Sequence, residues 1–480
     1  MRFKIIVVWL LACSSLASAQ HKPFEVSLGW KGGGKSNPIG VNSFSSLTKD
    51  FNCVIANNSS TLKVFWFDKE MKYLKESAKD GLNEDEILGG FVRDGKAFVF
   101  SQRGAEATIW NYVFGLADSS ATEHSVAVSL DGMRVLGQVN TGESFLYIAA
   151  HKKEPVLTVY EFSKEGQVQR HDFDLGKATG SEFEKRDLWK ALSKSGQWSR
   201  DLDVALVKPE MELTAELASS PNKIYYREGK LLLLMDKEAG VTQVFEMKLS
   251  NGELVNRKIS RPILSQDDLS NSSFNSFLFG DRLFYALATS ERLTVYINSF
   301  SDGSEIKRFG ANENNSIDFK NTPIMQEGGN YSKNAVRELE KTRQLLRKML
   351  GGRVVISAVR NVLHQDEVTV GAFREVKNNT FSAPNMGALG GAIAGGVTVG
   401  VGFNPFYSSW GRTTRFKMLL DPKTSAHLSG EMAPSAMEDI RTYSKDLKIP
   451  DGGATVFTAS NASWYAYYDR ESRKLTVMRF

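Results

Sequence analysis

Eight residues near the start of the chain have the types and spacing of a phosphate-binding loop. Gly29–Ser36, GWKGGGKS, reads as G-x-x-x-x-G-K-S. In nucleotide hydrolases such a loop follows a strand and opens a helix, whose first amide groups and dipole hold the phosphate. An apolar run ending in an acid, LLLLMDKE at Leu231–Glu238, matches the strand that holds magnesium in those enzymes. The residues after the loop withdraw this chemistry. They read NPIGVNSF, and Pro38 disfavours helical geometry at Asn37 while Gly40 weakens any helix beyond it. No apolar helical stripe appears before Asp50. No nucleotide and no cofactor is therefore expected, and Lys31 and Lys35 are expected to be solvated in a Gly-rich passage.

The other chemistry-bearing residues are sparse. The six histidines are His21, His124, His151, His171, His364 and His427. There is no G-x-S-x-G elbow, no HExxH and no CxxC. His171 stands beside Asp172 and Asp174 in RHDFD, a short cluster that could bind a metal or act as a base. Two acids flanking one strand histidine are commonplace, so no catalytic, cofactor-binding or metal-ligating residue is assigned. The acid runs NEDE (83–86) and SQDDL (265–269) lack calcium-loop spacing and are expected to be solvated. Paired carboxylates for glycoside hydrolysis cannot be chosen from sequence, which does not reveal which acids converge.

The first residues set the compartment. MRFKIIVVWLLACSSLASAQ has a basic start, a short apolar core and Ala17-Ser18-Ala19 at a small-x-small site. A signal peptide over residues 1–19, cut after Ala19, is expected, making the protein exported: periplasmic, cell-surface or secreted. Lipidation at Cys13, in LLAC, is the less favoured alternative. Removal of the signal leaves Cys53 as the single cysteine, so the chain must be held by a core rather than by disulfides. The net charge of +5 is spread along the chain without a basic block, which argues against a nucleic-acid partner.

The elements that must position these residues are short strands. An apolar strand, a polar turn and a second strand recur in 51–76, 91–117, 143–175, 222–259, 277–309, 351–378 and 452–480. The turns RDGK, REGK, SNGE, SDGS and LDGM supply Gly beside Asp, Asn or Glu, as hairpins require. Three segments break the strand rhythm with helical patterns: 181–196, 332–352 and 434–447. In the second, Val336, Leu339, Leu346 and Met349 form a stripe that Gly351 ends. A fourth, MGALGGAIAGGVTVGVGF at 386–403, carries Gly387, Gly391 and Gly395 at four-residue spacing, as packed membrane helices do.

Early spacings of roughly 45 residues between equivalent strands approach the blade length of repeat-built rings. The chain resembles a β-propeller, by architecture only, since it lacks the Trp-Asp and paired-Gly signatures of known blade families. The resemblance implies an all-β propeller of about seven blades (six to eight). A single domain over 20–480 is expected, with helical insertions near 181–220, 332–350 and 434–447 and a Gly-rich insertion at 378–411. FEVSLGW (24–30) is expected to pair with the last blade and close the ring, removing open sheet edges.

The absence of catalytic motifs and the broad rigid face of a propeller together predict a non-enzymatic scaffold that binds a protein or polymer. The alternative is a propeller hydrolase acting on glycan or peptide, which needs two or three acids converging at one mouth. A third reading is a membrane-associated component docking through 386–403.

Overall fold

The computed structural model describes residues 21–30, 39–83, 85–103, 108–118, 121–163, 167–179, 187–193, 202–208, 212–236, 240–261, 271–328, 336–375, 411–433, 435–450 and 452–480. The Gly-rich segment 386–403, the acid run 265–269 and most of the Gly29–Ser36 loop lie outside them.

Tight turns build the strands into hairpins. In RDGK, Asp94 and Gly95 both have positive φ, +51° and +67°, and in REGK the same holds for Glu228 and Gly229. Two consecutive left-handed residues form the turn whose twist matches that of the flanking strands. Repeated hairpins give seven separate antiparallel-based sheets among the described residues, each of four or five strands. The chain is an all-β propeller of seven blades, numbered in chain order.

One edge strand of each blade lies toward the middle of the ring, and in all but blade six it is the first of that blade's strands after the ring-closing one. Gly40–Ser45 of blade one packs on Asp85–Arg93 of blade two and on Ala454–Ala459 of blade seven. Asp85–Arg93 in turn packs on Met133–Asn140 of blade three, and Ser273–Phe279 of blade five on Arg353–Arg360 of blade six. The ring closes as expected. His21–Ser27 pairs antiparallel with the last strand, Lys474–Arg479, with Phe24 opposite Val477. Phe24 then reaches across to blade one and stacks on Tyr73, ring centroids 4.8 Å apart.

Blades four and six depart from the simple hairpin series. Blade four gains an inner strand, Val204–Val207, parallel to Asn222–Arg227. The helix Ala215–Ala218 follows that strand and packs on it and on blade six. Blade six runs Arg337–Leu339, Ile324–Gly328, Gly411–Leu420, Asp366–Glu375, Arg353–Arg360 across its sheet. The helix expected over 332–352 is shorter than its stripe. It begins at Thr342, and Arg337–Leu339 pairs instead as an edge strand. Val336 is exposed, whereas Leu346 and Met349 are buried in the core. An edge strand's ladder hydrogen bonds thus displaced three residues whose apolar period also suited a helix.

Strand alternation sends apolar side chains into the gaps between blades. Phe91, Phe98 and Phe100 of blade two meet Phe145 and Phe162 of blade three, with Phe100 and Phe145 stacked at 4.8 Å. Continuous apolar clusters also join blade one to two, three to four, four to five and six, and seven to one. Between blades six and seven no apolar cluster is shared among the described residues. There blade seven packs instead on the helix Ala436–Ser444 through Ile440, Val456 and Tyr465.

Candidate functional site

The seam between blades six and seven is filled by charge. Strands Asp366–Glu375 and Gly411–Leu420 pair with Thr369 opposite Lys417 and Gly371 opposite Arg415. Residues two apart share a strand face, so Glu367 and Thr369 line up with Thr413, Arg415 and Lys417. Glu327, from Ile324–Gly328, sits opposite Thr413 and joins the same face. Gly371 permits the close approach: a Cβ there would lie 2.0 Å from the Thr414 carbonyl oxygen and 2.7 Å from Arg415 Cα.

Two other elements bring acids to this face. Glu212 precedes the short helix Ala215–Ala218, whose cap is Thr214. Glu438 and Arg441 come from one side of Ala436–Ser444. Glu438 in the first turn suits the positive helix end. Ser435, placed to cap this helix with its side chain, directs its hydroxyl to Glu212 Oε2 at 3.4 Å instead.

Lys417 Nζ lies 2.6 Å from Glu367 Oε1, 3.1 Å from Glu212 Oε1 and 3.6 Å from Glu438 Oε1. Arg415 reaches Glu212 at 3.5 Å, Glu327 at 3.6 Å and Glu438 at 3.8 Å. Arg441 closes the network on Glu327 Oε2 at 3.1 Å. Four carboxyls face three cations, which leaves one excess negative charge when all are ionised. The proton affinities of two of them diverge. Burial raises that of Glu367 and prevails over the attraction of Lys417. Burial also acts on Glu212, but the fields of Lys417 and Arg415 outweigh it and hold its carboxyl below the usual range. Glu367 is therefore the member that takes up a proton readily, and Glu212 the one that stays ionised.

Glu212, Glu327 and Glu438 line a cavity of about 120 Å³, together with Arg415 and Arg441 and the apolar Val355 and Phe373. Glu367 lies one layer behind, holding Lys417. Glu216, from the first turn of Ala215–Ala218, lines it too, so four acids meet at one concave site, three of them within the ion network.

The residues singled out in the sequence lie elsewhere. His171 is buried, 3.2 Å from Glu161. Asp172 points to the other side of its strand, where it accepts from Thr158 and Arg170. Asp174 accepts from the Lys177 amide. Alternation therefore splits the RHDFD cluster. Asp236, the acid after the Leu231–Leu234 run, is a buried anchor that accepts from Thr242 Oγ1 and the Ser276 amide. It belongs to blade four, whereas Trp30 contacts Tyr468 of blade seven. Asp85, expected in a solvated loop, is also buried. It accepts from Ser101, Arg103 and Tyr112 at the start of blade two. An acid opening an inner strand is enclosed by its neighbours whatever its sequence context. Sequence reasoning missed the seam acids because they are far apart in the chain. The faint signal was S-x-x-E at Ser435–Glu438 before an amphipathic stretch, a capping pattern.

No protein-family model and no curated protein matches the chain. Among solved structures it is similar to one from work on two prolyl endopeptidases, with a TM-score of 0.35 and 9% identity over 90% of this chain and 46% of that one. A variant of Synechocystis apocarotenoid oxygenase gives a TM-score of 0.29 and 8% identity over 55% of this chain and 60% of that one. The cobalt-substituted form of the same oxygenase gives 0.29 and 8%, over 58% and 63%. The chain thus spans about half to two thirds of the length of these proteins. Likeness at these scores is one of β-rich shape and assigns no activity. The expectation of a non-enzymatic scaffold, which rested on the lack of any acid constellation, is corrected by the structure itself: acids distant in the chain converge on one concave site in the seam, as the hydrolase alternative demands.

Proposed function

We propose that the chain is a hydrolase of glycosidic bonds whose active site is the cavity between blade six, the segment before Ala215–Ala218 and the helix Ala436–Ser444. The observation that carries this reading is the meeting of Glu212, Glu327 and Glu438 on one cavity wall. Glycoside hydrolysis needs two carboxyl groups flanking the scissile bond, one to donate a proton and one to act as an ionised nucleophile or base. Glu212, kept ionised by Lys417 and Arg415, takes the ionised role. It draws a proton from a water that attacks the anomeric carbon as the bond to the leaving glycosidic oxygen breaks. Glu438, on the opposite element and half exposed to solvent, is placed across the cavity as the acid: in its protonated form it gives its proton to the leaving glycosidic oxygen, and solvent exchange returns the proton that Glu212 has taken. Arg415 and Lys417 fix both carboxylates, and Glu367 positions Lys417. The signal-like residues 1–19 are consistent with an extracytoplasmic glycan as substrate.

The test is hydrolysis of a panel of glycans, including chromogenic glycosides and cell-wall fragments, by the full chain. Turnover that falls about a thousandfold in Glu212→Gln and in Glu438→Gln, with the fold retained by circular dichroism, is the expected result. Cleavage of peptides but not glycans, or activity unchanged in both variants, would overturn it.

A further inference from the structure

The opposite face of blade six carries a second, chemically different cavity. Alternation turns Ala372, Arg374, Arg412 and Thr414 away from the seam, toward the helix Thr342–Leu350 that covers this side of the sheet. The cavity measures about 380 Å³. Its wall includes Arg337 from the edge strand, Arg347 and Lys348 from the helix, and Arg374 and Arg412 from the two long strands. No acid lines it among the described residues. Glu338 and Glu375 alternate to the other face of their strands. Leu345, Leu346 and Met349 anchor the helix in the core, so its basic face is held against the sheet.

Five cations around one cavity repel one another, and a fold keeps such an arrangement at a cost that a bound anion removes. Lys348 registers the repulsion: burial, and then the charges of Arg337, Arg412, Arg347 and Arg374, hold its ammonium below the usual lysine range. Guanidinium groups from four separate elements are suited to a compact oxyanion with several acceptor oxygens, which they grip bidentately.

We infer that this cavity is a binding site for a phosphate-bearing ligand, a diphosphate or phosphate monoester, held by Arg337, Arg347, Lys348, Arg374 and Arg412. The site is separate from the carboxylate cavity, and its ligand does not depend on the activity proposed there.

Calorimetric titration of the full chain with inorganic pyrophosphate, at ionic strength held constant with sodium chloride, tests it. Vesicles containing phosphatidic acid form a second arm. Saturable one-to-one binding of pyrophosphate supports a soluble ligand, and binding of the vesicles alone supports a lipid headgroup. Arg347→Gln/Arg374→Gln weakens whichever binding is seen by about tenfold or more, while Arg308→Gln, on blade five and paired with Glu305, leaves it unchanged. Without ligand, the double variant melts at a higher temperature than the parent, because repulsion is relieved. No binding in either arm, or equal binding by the double variant, would overturn the inference.

Discussion

At the scale of single residues, the interior holds, among the described residues, one ammonium that no anion neutralises directly. Lys223, on the second strand of blade four, is 1% exposed and donates to the Ser220 carbonyl oxygen at 2.5 Å and to Asn275 Oδ1 at 2.7 Å. Burial lowers its pKa to about 8, the attraction of Asp236 and Asp203 offsetting only part of the loss. The unfolded chain holds that proton more tightly, so the cost to stability is fully present below about pH 8 and fades as pH rises toward the ordinary lysine value. The shift corresponds to on the order of 3 kcal/mol. Unfolding free energy, measured by urea titration, is expected to climb between about pH 8 and pH 9.5. In Lys223→Met that climb disappears and the value at pH 7 is higher than in the parent. A variant that is less stable at pH 7 and keeps the same slope would contradict this account. Above this window the buried tyrosines act with the opposite sign: burial holds the Tyr225 and Tyr465 hydroxyls protonated in the folded chain, so their ionisation on unfolding draws stability down as pH rises past the ordinary tyrosine value.

At the scale of elements, blade six shows how one sheet serves two chemistries. Its strands alternate, so one face carries the Glu212–Lys417 network and the other the basic cavity, and the pairing of Gly371 with Arg415 sets both registers. Gly371→Ala places a methyl group against the Thr414 carbonyl, where backbone rather than a flexible side chain must move. A loss of about 3 kcal/mol in unfolding free energy is expected, at the upper end of overpacking costs. Arg415 would shift with the strand, so turnover should fall along with stability. Full activity in a destabilised Gly371→Ala protein would separate the strand spacing from the site. The helix Thr342–Leu350 was legible from its Leu346, Met349 and Gly351 pattern, but its start was not. Val336 and Leu339 suit a helical period and a strand equally, and only the neighbouring strand Ile324–Gly328 decides between them.

At the scale of the whole molecule, apolar clusters of the described residues join every pair of neighbouring blades except six and seven, whose seam rests on ions and on the helix Ala436–Ser444. Partly exposed ion pairs weaken as salt shortens the Debye length to about 3 Å near 1 M, whereas apolar contacts do not. Hydrogen exchange is therefore expected to quicken in residues 436–447 on going from low salt to about 1 M sodium chloride, with the blade two–three strands unchanged. Uniform protection at both salt concentrations would show that the seam is no weaker than its neighbours. Acid should open it as well. The Glu212 carboxyl is held low, so its contribution is present above the ordinary carboxylate range and is lost as pH falls through its folded pKa.

The strand rhythm, the Asp-Gly and Glu-Gly turns and the closing FEVSLGW segment were all readable in the chain, because hairpins are local and their dihedral demands fall on adjacent residues. They implied a ring of about seven blades. The site was not readable. Glu212, Glu327, Glu367 and Glu438 are separated by tens of residues, and each taken alone is an ordinary surface acid. Their meeting depends on the closure of the ring, on the helix Ala436–Ser444 turning back across the seam, and on the register that puts Arg415 and Lys417 on one face. Long-range convergence of charge has no local signature, so tertiary structure alone decided where the proposed site lies. The same reason undid the clusters that the sequence did offer: neighbours in the chain such as His171 and Asp172 are sent by the pleat to opposite sides of a strand.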